Sequence, residues 1–179
     1  HMDNGRDSLD FITIYCLRLL WDEIYANWEQ IAVDAGLTVT EEQTLLAIGF
    51  ARGSTVTDVA QILQRDKGTI SKSVYSLECQ GLVTRETGED RRYSCFNLTE
   101  KGEKVRQEVA QKHLSGRGLA FAEGFLKLPE EERHAFTRTA FKLTRHVYGD
   151  DYIRFIQQTM NLPKDTSDLI NQLLEETEK

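Results

Sequence analysis

Between residues 67 and 80 the chain gathers side chains suited to meeting a polyanion. Lys67, Thr69, Ser71, Lys72, Ser73, Tyr75 and Ser76 fall there, with no acidic residue before Glu78. Short hydroxyls can approach base edges and phosphate oxygens closely, and Lys72 can pair with a phosphate. A solvated helix face ordinarily mixes Glu with Lys, and this one does not. A second candidate group follows in Gly88-Glu89-Asp90-Arg91-Arg92. Arg91 and Arg92 at a turn can enter a narrow minor groove, where the negative potential is enhanced. Asp90 can brace one of the two arginines.

Those residues need elements to present them, and the surrounding pattern supplies two short helices and a hairpin. Thr57 reads as an N-cap, and Val59, Ala60, Ile62 and Leu63 form the apolar stripe of a first helix. Asp66 reads as the cap of a second, from about Lys67 to Gln80, with Ile70, Val74 and Leu77 facing inward. Gly81 suits the left-handed residue that ends a helix. Leu82-Val83-Thr84-Arg85 and Tyr93-Ser94-Cys95-Phe96-Asn97-Leu98 are strand-like on either side of the charged turn. Two helices, a hairpin "wing" and a new helix start at Thr99 form the grammar of a winged helix-turn-helix.

The residues Thr69-Ile70-Ser71-Lys72, Val74, Leu77-Glu78, Gly81-Leu82-Val83, Asp90-Arg91-Arg92 and Leu98-Thr99-Glu100-Lys101-Gly102 resemble the signature of MarR-type transcription regulators. The resemblance implies a homodimer that binds pseudo-palindromic, inverted-repeat duplex DNA as a repressor. In that reading the helix over 67–80 enters the major groove and Arg92 the minor groove. Leu20-Trp21, Ile24, Trp28, Gln30 and Arg145-His146-Val147-Tyr148-Gly149-Asp150-Asp151 are similar to the Hpr (ScoC) branch, whose members control extracellular protease and other stationary-phase genes.

The rest of the chain reads as helical scaffold. Residues 9–35 form one long amphipathic pattern, with Ile12, Cys16, Leu19, Leu20, Ile24, Trp28 and Ile31 on its apolar face, and Gly36 ends it. Thr40 reads as the cap of the next helix, with Leu45, Leu46, Ile48 and Phe50 inward. Ser115-Gly116-Arg117-Gly118 breaks the helix that Thr99 starts. Pro129 followed by three glutamates is a helix start, and Gly149 and Pro163 mark later ends. These faces exceed what one small core can cover, which predicts a two-fold dimer. The expected architecture is mainly α with a small β-hairpin wing. It divides into a tag remnant and disordered N-terminus (1–8), a dimerisation helix (9–36), the winged helix-turn-helix (37–100), C-terminal dimerisation helices (101–163) and an amphipathic tail helix (164–179).

Charge is the main objection to DNA binding, since the whole chain carries −7. Between Arg65 and Arg106, however, nine Lys/Arg face seven Asp/Glu, so the acidic excess lies elsewhere. That distribution predicts weak non-specific affinity and strong salt sensitivity. No nucleophile–base pair, phosphate-binding glycine loop or metal-spaced His/Cys cluster occurs, so no enzyme, cofactor or metal is expected. Three unpaired cysteines and the absence of an apolar run of membrane length point to a reducing cytoplasm. Cys16 could serve as a redox sensor if it were an exposed thiolate, but its apolar neighbours predict a buried structural residue. Trp21, Tyr25, Trp28 and Phe50 could line an effector cleft; no effector is assigned. The competing reading is a winged-helix module that binds protein rather than DNA.

Overall fold

The computed structural model describes residues 9–88 and 93–178. Asp10 caps α1 (Phe11–Asp34), accepting from the Ile12 amide at 3.1 Å. Gly36, at φ +75°, turns the chain out of that helix. α2 (Val39–Phe50) starts at Thr38, not at Thr40 as expected. The reason is reciprocal capping: Thr38 Oγ1 accepts from the Glu41 amide at 3.1 Å while Glu41 Oε1 accepts from the Thr38 amide at 3.0 Å. The same device moves the start of α3 (Val56–Leu63) from Thr57 to Thr55, which pairs with Asp58 three residues on. On α2 the buried residues include Glu42, Thr44, Leu45 and Ile48, whereas Leu46 and Phe50 are only half-buried.

α4 (Lys67–Cys79) follows α3, and Gln64 at φ 52° makes the turn between them. β1 (Val83–Thr87) pairs antiparallel with β2 (Ser94–Leu98) in the register Val83↔Leu98 to Thr87↔Ser94. Ser54 bridges to Phe96 and ties the hairpin to the start of α3. One core joins these elements. Leu45, Ile48, Val59, Ile70, Val74, Leu77, Leu82, Val83 and Phe96 are buried in it.

α5 (Glu100–Ser115) leaves the hairpin, and α6 (Ala120–Lys127), α7 (Glu130–Tyr148), α8 (Asp150–Thr159) and α9 (Lys164–Glu176) follow. Leu119 gives α6 no side-chain cap. Instead, Glu23 of α1 accepts from the amides of Ala120 and Phe121 at 2.9 and 3.2 Å. α8 turns back to the winged-helix core. The Tyr152 hydroxyl donates to the Ile62 carbonyl at 2.6 Å, and the Asn161 amide donates to the Phe50 carbonyl at 2.7 Å. Phe155, Ile156 and Met160 pack on that core. α9 lies along α7, where Arg145 binds Asp150 with two nitrogens and also donates to the Leu174 carbonyl and to Thr177 Oγ1.

Among the described residues, none of the first three turns of α1 is buried by the rest of the chain. Every residue from Leu9 to Asp22 is exposed, including Phe11, Ile12, Leu19 and Trp21. Cys16 is therefore exposed, not buried as its apolar neighbours suggest, because among the described residues nothing covers the face it shares. On α7, Leu143 and Val147 are likewise exposed.

Candidate nucleic-acid interface

The α4 face is set by its cap and its inward stripe. Asp66 Oδ1 accepts from the Thr69 amide at 2.8 Å, and its Oδ2 accepts from the Thr69 hydroxyl at 2.7 Å. These bonds, the hydroxyl first, hold the Asp66 carboxyl below the usual range. Thr69 thus has its hydroxyl hydrogen committed, leaving only acceptor capacity outward. Ile70, Ser73, Val74 and Leu77 form the buried stripe. Ser73 at 7% exposure is thereby removed from the outward face expected for it. Ser76 is half-buried and turned toward α2, donating to Glu41 Oε2 at 2.5 Å. Lys67, Ser71, Lys72 and Tyr75 remain, all exposed, with Tyr75 at 66%. Asp90, Arg91 and Arg92 lie outside the described residues.

Several residues that hold this face in place were not singled out from sequence. Glu41 Oε2 also accepts from Gln80 Nε2 at 3.0 Å, so one carboxylate fastens α4 at two points. Partial burial opposes its charge, but bonds from Ser76, Thr38 and Gln80 outweigh burial and lower its pKa. Arg85 on β1 grips Glu78 at the end of α4, with Nη2–Oε1 at 2.7 Å, and its guanidinium lies 5.1 Å from the Phe96 ring centre. That contact sets the hairpin against the helix. The Thr99-Glu100-Lys101-Gly102 run closes the same corner. Thr99 Oγ1 donates to the Gly81 carbonyl at 2.6 Å and Lys101 Nζ to the Gln80 carbonyl at 3.1 Å. Gly102 is required by proximity, since a Cβ there would run into the Leu82 carbonyl. Glu41 carried a legible signal in Thr38-x-x-Glu41; Arg85 carried none, because its partner lies across a chain reversal.

Of the four aromatics considered for an effector cleft, Trp21 meets Tyr25 and Trp28 along α1, whereas Phe50 lies apart from them. Trp21 and Tyr25 border a shallow depression on α1, Trp28 turns edge-on to His113, and Phe50 lies beside the Arg106 guanidinium. Among the described residues no group of three or more His, Cys, Asp or Glu is placed to hold a metal.

Residues 35–92, spanning α2 to the hairpin, match the model of the MarR family. That stretch is similar to the MarR family, and the match is confined to it. The HTH-type transcriptional regulator Hpr of Geobacillus thermodenitrificans is 24% identical over 151 residues, covering 83% of this chain and 75% of the relative. Among solved MarR structures, a MarR protein from Peptoclostridium difficile superposes with TM-score 0.69 at 17% identity, covering 83% of this chain and 94% of that one. The S. aureus MepR–DNA complex superposes with TM-score 0.64 at 22% identity, covering 78% and 99%. These likenesses carry the fold alone: mainly helical, with a two-stranded wing.

Proposed function

We propose that this chain is a MarR-type, sequence-specific DNA-binding transcription regulator that represses as a homodimer on an inverted-repeat operator. The observation that carries the reading is the α4 face. Lys67, Ser71, Lys72 and Tyr75 are exposed together on a helix fastened from behind by Glu41 and from the side by Arg85. A helix so held can offer donors to a groove without first paying to become ordered. In this reading Arg91 and Arg92, which lie outside the described residues, supply the minor-groove contact. The MepR structure and that of Streptococcus pneumoniae FabT are both complexes with DNA, which supports the same reading.

The dimer half of the proposal rests on the uncovered face of α1 with Leu143 and Val147 of α7. A two-fold axis there would set two α4 helices about one DNA turn apart, ~34 Å. Cys16 sits within that face, so a second copy would cover it and redox sensing is not part of the proposal. Among the described residues no helix is long and apolar enough to cross a membrane; the proposed location is the cytoplasm, on the nucleoid when bound. Extracellular protease and stationary-phase genes are the proposed targets, on the strength of the Hpr resemblance alone.

The test is capture from a labelled genomic-fragment pool across a salt series, with Lys72→Ala and Arg92→Ala beside the parent. Selective, salt-sensitive capture of a few inverted-repeat fragments, weakened in both variants, is expected. Absence of enrichment at low salt would overturn the reading in favour of a protein-binding module.

A further inference from the structure

A connected set of side chains runs from the uncovered face of α1 to the back of α4. Trp21, 48% exposed, stands edge-on to Trp28 with ring centres 5.5 Å apart. Trp28 stands edge-on to His113 of α5 at 5.9 Å. His113 Nε2 bonds Glu42 Oε1 in the first turn of α2. Glu42 is 2% exposed, and its second oxygen is buried with no hydrogen-bond partner among the described residues. Its neighbour Glu41 faces the other way and holds Ser76 and Gln80 of α4.

The energetics of this junction are asymmetric. A buried carboxylate with one orphan oxygen already bears a desolvation cost, so the remaining partner decides where it sits. Removing one member of a buried pair is far more damaging than never having had the pair. Among the described residues Glu42 has His113 as its one side-chain partner, and His113 in turn is backed by Trp28. Glu41 and Glu42 share one helical turn, so a rotation that releases Glu42 also displaces the oxygens that hold α4.

We propose that the first turn of α2 couples the dimer face to the reading helix, with His113 and Glu42 acting as positioning residues for α4. The proposal rests on the DNA-binding reading for its purpose but not for its geometry. Covering Trp21 with a second copy stiffens Trp28 and His113, and Glu42 and Glu41 pass that order to Ser76 and Gln80. A loosened junction leaves Lys72 free to meet phosphates but blurs the register of Ser71 and Tyr75. Selectivity then falls more than non-specific affinity.

Two arms test this in the full-length chain. In the first, amide exchange is followed in His113→Phe, His113→Gln and Glu42→Gln. His113→Phe is expected to speed exchange in α4 about ten-fold over its effect on α3, and His113→Gln, which keeps an N–H donor, to restore most of the protection. Exchange in α4 that is unchanged, or that rises equally in every helix, would overturn the coupling. Glu42→Gln keeps the question open to measurement if the phenylalanine variant does not fold. In the second arm a Trp21→Phe background leaves Trp28 as the one tryptophan. Its emission is recorded while anisotropy of a labelled duplex from the captured pool reports binding. Binding accompanied by a Trp28 change that His113→Phe abolishes supports the proposal, and binding with silent Trp28 emission overturns it. A parent that binds no duplex would sink the DNA reading, while the exchange arm would still decide the coupling.

Discussion

Replacing Gly102 by alanine adds a single methyl group at a point where the chain has no room for it. The new Cβ would overlap the Leu82 carbonyl oxygen and lie 2.9 Å from the carbonyl carbon and 3.3 Å from Cα. Ordinary carbon contacts begin at about 3.5 Å, and the obstacle is backbone, which cannot rotate aside. Leu82 is 3% exposed, its amide donates to the Leu77 carbonyl at 2.9 Å, and its carbonyl accepts from the Thr99 amide at 3.0 Å. Separating α5 from Leu82 strains both bonds, at about 1 kcal/mol each. Overpacking costs about 1–3 kcal/mol, and alanine returns up to about 1 kcal/mol through helix propensity. The net expectation is a loss of about 3 kcal/mol, or a fall in Tm of about 6–12 °C for a chain of this size. Thermal and urea unfolding at one protein concentration would measure it. Gly124→Ala, on α6 with nothing within 4 Å of the added Cβ, is the control, and it should be neutral or stabilising by up to about 1 kcal/mol. If Gly102→Ala were as stable as Gly124→Ala, the close approach of α5 to Leu82 would be wrong.

Other outcomes follow from the same geometry. Lys72→Ala should weaken all duplexes alike and reduce the salt slope by about 1, whereas Tyr75→Ala should keep the slope and lose selectivity; duplex titrations at several salt concentrations separate them. Arg85→Ala removes a partly exposed pair, so stability should change by less than about 1 kcal/mol. Operator affinity should fall further, because the hairpin loses its fixed angle to α4; parallel unfolding and binding curves test the split. Glu41 has a lowered folded pKa, so its contribution is present above its ordinary value of 4.5 and is lost as pH falls below it. Glu41→Gln should therefore lower stability at neutral pH and flatten the acid limb below pH 4.5, as read by urea unfolding at each pH. Leu143→Asp with Ile12→Asp should shift the sedimentation coefficient from dimer to monomer, and a variant that stays dimeric would refute the proposed interface.

Local signals were readable in this chain and tertiary ones were not. Asp66, Gly81, Thr99 and Gly149 act at their own helix ends, so their types declared their roles. Thr40 and Thr57 misled because each lies two residues past a threonine that is answered by an acid three positions on. Ser73 was misplaced by polarity alone. Its spacing from Ile70 and Leu77 puts it on the buried stripe, where a small hydroxyl fits as well as an apolar side chain. Ser76 and Arg85 needed knowledge of which elements meet, since their partners Glu41 and Glu78 lie on other elements. The neighbours of Cys16 predict burial, but the described residues leave that face open. The uncovered stripe that predicted a dimer and the burial of Cys16 are one question, which a second copy would answer.

α8 gives the reading head a second mooring. The head is joined to the long helices through α1 and α5 at one end, and Tyr152 and Asn161 pin the ends of α3 and α2 at the other. An arm held at one point can swing, whereas an arm held at two keeps its span. In the proposed two-fold assembly this would turn the separation of half-sites into a ruler. Operators with one base pair more or less between their arms would be rejected by length before any base is read. The spacer, which no side chain touches, then becomes as selective as the letters on either side of it.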